Sequence, residues 1–230
     1  MPFFKIDDQQ IEFSPGQTVI QAARDAGVYI PHLCFHPDFK AHGSCRVCIV
    51  RIKGLYRTAC TTPVVESMEV ININDEVQQH RMQLLEMLFI EGNHVCPSCE
   101  KSGSCTLQSV AEFCGLLSPS LPFKYPDKKI DASHADYLLD FNRCILCELC
   151  VRASRNIDLK SVFAISGRGL DAKLVVNSDD GKLVNSAFEK SDRAASICPV
   201  GVILPKQQGF KTPIGHRKFD VIDIDKRQDD

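Results

Sequence analysis

The first third of the chain alternates apolar and polar residues in short runs, which is the pattern of half-buried β-strands. A turn at 14–16 precedes a helical stretch at 18–26, which ends at Gly27. Strands are predicted on both sides of this helix, at 3–6, 11–13, 48–52, 55–59 and 68–73. Strands, one helix and more strands around a long loop predict a mixed α+β module.

A long helix is predicted at 76–90, where apolar residues recur on one face. It leads to a loop at 92–103 that is rich in turn-forming residues, and then to a second helix at 105–113. Prolines and weak periodicity at 116–136 indicate a linker. The remaining predicted elements are strands at 137–141, 162–165 and 174–177 and helices within 144–155 and at 192–197.

The charge of the chain is nearly balanced, with 27 Lys and Arg residues against 29 Asp and Glu residues. This balance leaves no electrostatic footprint for nucleic acid or anionic lipid. The N-terminal MPFFKIDD has no apolar core of the kind a signal peptide needs, and the longest apolar stretch, at 84–90, is broken by Glu86. We therefore expect a soluble cytoplasmic protein with no nucleic-acid or membrane partner.

Eleven of the twelve cysteines fall into three groups, each built on a Cys-x-x-Cys core. Such a core places two thiolates on one tight turn, where both can reach a metal centre. Disulfides are rare in a reducing cytosol, so a disulfide framework is the weakest interpretation. Zinc remains an alternative, although zinc sites usually pair one Cys-x-x-Cys with another or with histidines. The asymmetric groups with distant single cysteines favour three iron-sulfur clusters.

The first group consists of Cys34, Cys45, Cys48 and Cys60. Plant-type 2Fe-2S ferredoxins use a Cys-x4-Cys-x2-Cys loop and one distant cysteine, and the loop amides donate to the sulfurs. Here ten residues separate the first two cysteines, so the loop is an expanded variant in which Gly43 and Ser44 supply small, flexible backbone. With the strand and helix pattern, the group predicts a 2Fe-2S cluster in a β-grasp ferredoxin module. Three flanking histidines are expected to have no catalytic role: His32, His36 and His42.

The third group consists of a triplet and one distant cysteine: Cys144, Cys147, Cys150 and Cys198. In two-cluster bacterial ferredoxins each cysteine run gives three ligands to one cluster and its fourth cysteine to the other. One triplet and the cysteine that completes it remain here, whereas the other ligand positions are occupied by Ser154, Phe188, Ser191 and Ala194. The sequence therefore predicts a ferredoxin-like module with a single 4Fe-4S cluster.

A 4Fe-4S cluster on the middle group needs one further ligand, because the group has three cysteines, Cys96, Cys99 and Cys105. His94 lies two residues before the first of these, and imidazole is a suitable ligand for iron. The alternatives for His94 are a hydrogen-bond donor beside the cluster or an ordinary loop residue. Cys114 and His80 could compete for the fourth ligand position, although Cys114 is better interpreted as a buried apolar thiol.

No nucleotide or flavin site is expected in this chain. The lone Ser-Gly-Arg-Gly at 166–169 is too weak to indicate a phosphate loop, and neither Gly-x-Gly-x-x-Gly nor a P-loop occurs. The chain is therefore expected to carry electrons and to contribute no catalytic residue or substrate site.

The order of the three sites resembles the N-terminal part of the large iron-sulfur subunit of respiratory complex I and that of NAD-linked iron-iron hydrogenases. The closest resemblance, over nearly the whole chain, is to the diaphorase iron-sulfur (gamma) subunits of soluble NAD-reducing nickel-iron hydrogenases. It is carried by EGNHVCPSCEKSGSC, DFNRCILCELCVR, AASICPVGVILPK and TPIGHRKF. The complex I pattern has its histidine four residues before the first cysteine, whereas His94 is two residues before Cys96, as in the shorter hydrogenase loop.

The resemblance implies a complete relay subunit of an oxidoreductase with one 2Fe-2S and two 4Fe-4S clusters. A flavin- and NAD-binding diaphorase subunit and the small and large hydrogenase subunits would be its partners. FMN, NAD and the nickel-iron centre are then expected on those partners alone. Four parts are expected: a β-grasp domain at 1–75, a helical His/Cys3 module at 76–116, a single-cluster ferredoxin-like domain at 117–209 and a docking tail at 210–230.

Three other functions remain open at this point. The chain could be the equivalent relay subunit of an NAD-dependent formate dehydrogenase, which identification of the co-purifying subunits would reveal. It could be a zinc-binding interaction protein with no redox role, which would be colourless and free of acid-labile sulfide. It could also be a free-standing ferredoxin, although three different clusters and an extended tail fit a subunit of a complex better.

Overall fold

The structure is a computed structural model that describes residues 2–227. Within these residues the helices are α1 (Val19–Asp25), α2 (Asp75–Glu91), α3 (Thr106–Phe113), α4 (Leu149–Asn156), α5 (Arg193–Ser196) and α6 (Lys218–Val221). The strands are β1 (Phe3–Ile6), β2 (Gln9–Glu12), β3 (Ile49–Ile52), β4 (Leu55–Thr58), β5 (Glu69–Ile71), β6 (Ile130–Asp131), β7 (Tyr137–Asp140), β8 (Phe163–Ser166), β9 (Lys173–Val176) and β10 (Ile203–Pro205). The predicted α+β class is confirmed.

The described residues form two compact units. Of residues 2–227, the first unit takes those that fall in Met1–Met87, Ser109–Ser120 and Ile222–Asp230. The second unit comprises Leu88–Gln108 and Leu121–Val221. Over residues 2–227, no helix is both long enough and apolar enough to cross a lipid bilayer.

A five-stranded mixed sheet forms the body of the first unit, in the order β2-β1-β5-β3-β4. β1 pairs antiparallel with β2 and parallel with β5, while β3 is antiparallel to both of its neighbours. Alternation along β1 buries Phe4 and Ile6 on the face that carries the core. Val19 and Ile20 of α1 belong to the same core, which explains why the predicted helix 18–26 forms between strands.

α2 confirms the long helix predicted at 76–90. Its first turn is capped by Asn74, whose Oδ1 accepts a hydrogen bond from the Val77 amide at 2.8 Å. One side-chain row of this helix is buried along its whole length, at Val77, Arg81, Leu85 and Phe89. A charged residue in an otherwise apolar row is a departure from the periodic pattern, and it lies in the unit of the first cysteine group.

The second unit contains a three-stranded sheet, β10-β7-β6, and a separate β8-β9 hairpin. β7 lies between its two partners, with Leu139 opposite Ile203 on one side and Asp131 on the other. α4 packs against α5 and β8. The segment predicted as a linker at 116–136 has little regular structure, but it supplies the short edge strand β6.

Candidate metal centres

The first cysteine group comes together around Cys34. Its sulfur lies within hydrogen-bond range of Cys45 and Cys60, and Cys60 is also within range of Cys48. The Cys45 and Cys60 thiols lower the pKa of Cys34, and the same coupling raises the pKa of both donors. The four sulfurs therefore lie within reach of one another, as is expected of ligands of a single centre.

The loop around the first group is shaped by its neighbouring strands. Cys48 directly precedes β3 and Cys60 follows β4, so the antiparallel pairing of these strands brings the two cysteines together. Gly43 has φ 73°, and a β-carbon there would lie 3.0 Å from Cγ2 of Thr61. Glycine at this position therefore lets the expanded loop pass close to the segment that carries Cys60.

All four cysteines of the third group line one cavity. The triplet comes from the loop before α4 and from its first turn, and Cys198 comes from the segment after α5. Apolar side chains complete most of the lining, among them Ile145, Ile165, Leu174, Val200 and Val202. The four sulfurs thus surround a space of low polarity, which fits a buried cluster.

Backbone amides point at the sulfurs of the third group. The Leu146 amide hydrogen-bonds to Cys144, and the Val151 amide to Cys150. Leu146 and Glu148 have left-handed φ values of 52° and 59°, one inside each Cys-x-x-Cys step. Alternating right- and left-handed residues turn successive N–H groups toward one side and create a concave site for negative charge. This arrangement suits a cluster held by thiolates.

Protein side chains fill the region of the absent second ligand set. Ser154 is fully buried, and its hydroxyl accepts a hydrogen bond from the Val162 amide at 2.7 Å. Phe188 is 5 % exposed and contacts Tyr137 and Phe163, with ring centroids 5.2 and 6.0 Å apart. Ser154 and Phe188 are therefore part of the core, as is Ala194, whereas Ser191 is exposed.

The three cysteines of the middle group also lie close together. Cys96 begins a 3-10 turn, Cys96–Ser98, and the Cys99 amide donates to the Cys96 carbonyl at 3.2 Å. Cys105 directly precedes α3, so the amides of its first turn hydrogen-bond to the Cys105 sulfur. Burial raises the pKa of Cys105 to about 12, and the nearby Cys96 and Cys99 add to the shift. This thiol must exchange its proton for metal when it becomes a ligand.

His94 has the properties of a potential ligand, and its side chain is enclosed by neighbouring residues. The imidazole packs edge-on against Phe89, with centroids 5.6 Å apart, and a β-carbon on Gly92 would overlap it. Burial, and then the charge of Arg143, lower its pKa to about 4, so the ring is neutral at physiological pH. Its buried Nε2 has no hydrogen-bond partner among the described residues. A neutral ring with an unpartnered nitrogen can bind iron.

Replacing His94 by alanine is expected to remove or alter the middle cluster, because three cysteines alone leave one iron without a protein ligand. The iron content should fall by up to about four atoms per chain, with a matching loss or change in one 4Fe-4S EPR signal. His80→Ala and Cys114→Ala are the controls, since each removes one competing ligand and should leave both readings unchanged. Full iron content and an unchanged EPR spectrum for His94→Ala would show that His94 is not a ligand of the middle cluster.

Two direct contacts join the middle and third ligand segments. The Thr106 amide, next to Cys105, donates to the Pro199 carbonyl, next to Cys198, at 2.8 Å. Arg143 precedes Cys144 and forms ion pairs of 2.8 Å with both Glu100 and Asp140. The two segments are therefore held in a defined register within the second unit. Neither contact had a signal in the sequence, because both depend on how distant segments pack.

The C-terminal segment packs on the loop of the middle group. The Gly103 carbonyl accepts a hydrogen bond from the Phe219 amide at 2.8 Å, and Arg217 donates to the Ser102 hydroxyl at 3.4 Å. Gly103 has φ 72°, and a β-carbon there would overlap the Arg217 guanidinium. The C-terminal segment and the loop of the middle group therefore pack closely, and glycine at position 103 is what permits this contact. Residues 228–230 of the expected docking tail lie outside the described residues.

Cys114 is buried in the first unit, beside Gln78 and Arg81. Burial raises its pKa to about 11. No disulfide joins any of the twelve cysteines, all of which lie within 2–227. Across that range, no three His, Cys, Asp or Glu side chains converge on the position of a single metal ion. The thiolates of a cluster are distributed over several irons and need no such convergence.

Three family models match successive parts of the chain. Residues 3–75 match a 2Fe-2S iron-sulfur cluster binding domain, and residues 81–119 match the NADH-ubiquinone oxidoreductase-G iron-sulfur binding region. Residues 138–204 match a 4Fe-4S single cluster domain. Each matched range contains one of the three cysteine groups.

Similar proteins match this chain along most of its length. The chain is 38% identical over 219 residues to the NAD-reducing hydrogenase HoxS subunit gamma of Cupriavidus necator, covering 94% of this chain and 92% of that protein. A crystal structure of NAD+-reducing NiFe-hydrogenase in the H2-reduced state contains a chain with 48% identity and a TM-score of 0.92, covering 95% and 93% of the two chains. The mitochondrial NADH-ubiquinone oxidoreductase 78 kDa subunit of Candida albicans is 28% identical and matches 95% of this chain but 31% of its own length.

Proposed function

Because the chain belongs to the family of gamma subunits of NAD-reducing hydrogenases, we propose that the three cysteine groups hold its redox centres. The chain is an iron-sulfur electron-transfer subunit of an NAD-reducing hydrogenase, and it is homologous to the iron-sulfur subunit of the NADH-binding side of complex I. The proposed content is one 2Fe-2S cluster and two 4Fe-4S clusters.

The proposed ligands follow the three groups. The 2Fe-2S cluster is assigned to Cys34, Cys45, Cys48 and Cys60, in a β-grasp domain formed by the five-stranded sheet and α1. One 4Fe-4S cluster is assigned to His94, Cys96, Cys99 and Cys105, and the other to Cys144, Cys147, Cys150 and Cys198. The division into parts at 1–75, 76–116, 117–209 and 210–230 belongs to the same proposal.

A bound iron-sulfur cluster supplies one-electron redox chemistry, with a potential set by cluster type, net charge, hydrogen bonds to sulfur and solvent exposure. The chain controls the last three of these. Burial of the Cys34 and Cys198 thiols excludes water, and the amides of Leu146 and Val151 donate to sulfur. A plant-type 2Fe-2S centre has a potential of roughly −400 mV, which suits nicotinamide and hydrogen chemistry.

The proposed partners lie at the two ends of the relay. A diaphorase subunit with FMN exchanges hydride with NAD at one end, and the small and large hydrogenase subunits with their nickel-iron centre activate hydrogen at the other. The proposed location is the cytoplasm. The chain itself is expected to bind none of these substrates.

The proposal depends most on the third cysteine group. Its four cysteines line one cavity, and backbone amides donate hydrogen bonds to the sulfurs of two of them. Native anaerobic purification through a tag on this chain tests the function. The complex is expected to contain the diaphorase and hydrogenase subunits and to reduce NAD with hydrogen. Recovery with formate dehydrogenase subunits instead, together with formate-dependent NAD reduction, would reject the hydrogenase assignment and keep the relay.

A further inference from the structure

Arg81 is a buried cation in the unit that contains the first cysteine group. The residue is 1% exposed and lies on α2 in a row with Val77, Leu85 and Phe89, which are buried and apolar. Burying a guanidinium in such surroundings costs free energy unless hydrogen bonds and nearby charge compensate it. The groups around Arg81 must therefore compensate the cost of burying its charge.

The hydrogen bonds of Arg81 are all made to neutral oxygens. Nη1 donates to the Asn72 carbonyl at 3.0 Å, and Nη2 donates to Asn72 Oδ1 at 2.7 Å and to the Ile49 carbonyl at 2.8 Å. Its Nε is buried and has no partner among the described residues. Arg51 on the same unit provides the contrast, since it is partly exposed and forms an ion pair of 2.7 Å with Glu76. Within residues 2–227, no carboxylate is therefore in contact with the charge of Arg81.

Arg81 also lies beside the first cysteine group. Its acceptor Ile49 directly follows Cys48, and the Cys48 and Cys114 sulfurs both act electrostatically on the guanidinium, with Asp7 further contributing. Burial lowers the pKa of Arg81, but arginine starts from a pKa above 12 and so remains charged at neutral pH. A fixed positive charge therefore lies near Cys48.

We propose that Arg81 is a positioning residue that sets the reduction potential of the 2Fe-2S centre, a role that rests on the proposed ligands Cys34, Cys45, Cys48 and Cys60. Its hydrogen bonds fix the backbone after Cys48, and its charge favours the reduced cluster. Reduction adds one negative charge to the centre, and a buried cation stabilises that charge because little solvent screens the interaction. The residue thereby makes this centre a better electron acceptor.

An EPR-monitored redox titration of the holo-complex tests the proposal on two variants. Arg81→Gln removes the charge but keeps an amide donor, and it should shift the 2Fe-2S potential to more negative values. Arg81→Lys keeps the charge but loses the planar guanidinium group, and its 2Fe-2S potential should stay close to that of the wild type. The two 4Fe-4S potentials should not move in either variant. Arg51→Gln is the matched control and should leave all potentials unchanged.

The outcomes separate charge from packing. Equal shifts in the Gln and Lys variants, or an unshifted potential in Arg81→Gln, would overturn the proposal. Loss of the 2Fe-2S signal in Arg81→Gln, with the signal kept in Arg81→Lys, would support a requirement for the charge. Loss of the signal in both variants would show that Arg81 has only a structural role, and it would overturn the proposal. Absence of a 2Fe-2S signal from the wild type would instead reject the ligand assignment, which is a different failure.

Discussion

Replacing Cys198 by alanine is expected to remove the third cluster and to stop electron transfer between hydrogen and NAD. Cys198 is 8% exposed and is the member of its cavity that comes from a distant segment. Without it, the triplet of Cys144, Cys147 and Cys150 leaves one iron without a protein ligand. Iron should fall by about four atoms per chain, with loss of one 4Fe-4S EPR signal. Metal analysis and EPR of the purified complex measure both.

Cys114→Ala is the matched control for this prediction. Cys114 is also a buried thiol, 1% exposed, but it lies beside Gln78 and Arg81 and is not assigned to a cluster. Both variants exchange the same side chains in buried surroundings, and of the two residues only Cys198 is a proposed ligand. Cys114→Ala should keep full iron content and hydrogen-dependent NAD reduction. Equal iron loss in the two variants, or none in Cys198→Ala, would contradict the assignment.

Replacing Phe188 by alanine is expected to destabilise the second unit by roughly 3 to 5 kcal/mol, the usual cost of truncating a buried aromatic residue. The ring contacts His134 and Tyr137 at centroid distances of 5.4 and 5.2 Å and also touches Phe163. The ring is 5% exposed, so its loss is expected to leave a cavity in the core. Chemical denaturation followed by circular dichroism should show a lower midpoint.

Phe210→Ala in the same unit controls for the loss of an aromatic residue as such. Phe210 is 67% exposed, so its removal should change stability by no more than about 0.5 kcal/mol. Both variants should keep all three clusters at low denaturant, because neither residue is a ligand. Equal midpoints for the two variants would show that Phe188 does not replace the second cluster as a core element.

The elements that the sequence predicts well are those in which local periodicity and tertiary burial agree. The strands around Phe4 and Val70 alternate because one face of the sheet is buried, and the helix 76–90 keeps an apolar row for the same reason. The three cysteine groups are recognisable from spacing, since each contains a Cys-x-x-Cys core that places two thiols on one tight turn. The structure accordingly brings the cysteines of each group together.

Packing between distant segments could not be predicted from the sequence. The bond from the Thr106 amide to the Pro199 carbonyl joins residues far apart in the chain and leaves no local pattern. The orientation of the His94 imidazole toward Gly92 likewise depends on tertiary surroundings. Arg81 did have a signal, because it stands four residues from both Val77 and Leu85 in an apolar row, where an arginine needs buried partners.

The most direct test of the relay is the quantity of iron and acid-labile sulfide in the anaerobically purified wild-type protein, combined with EPR after reduction. The assigned ligands predict about ten irons and about ten sulfides per chain, with signals from one 2Fe-2S and two 4Fe-4S centres. A colourless protein that contains zinc and no labile sulfide would contradict the account.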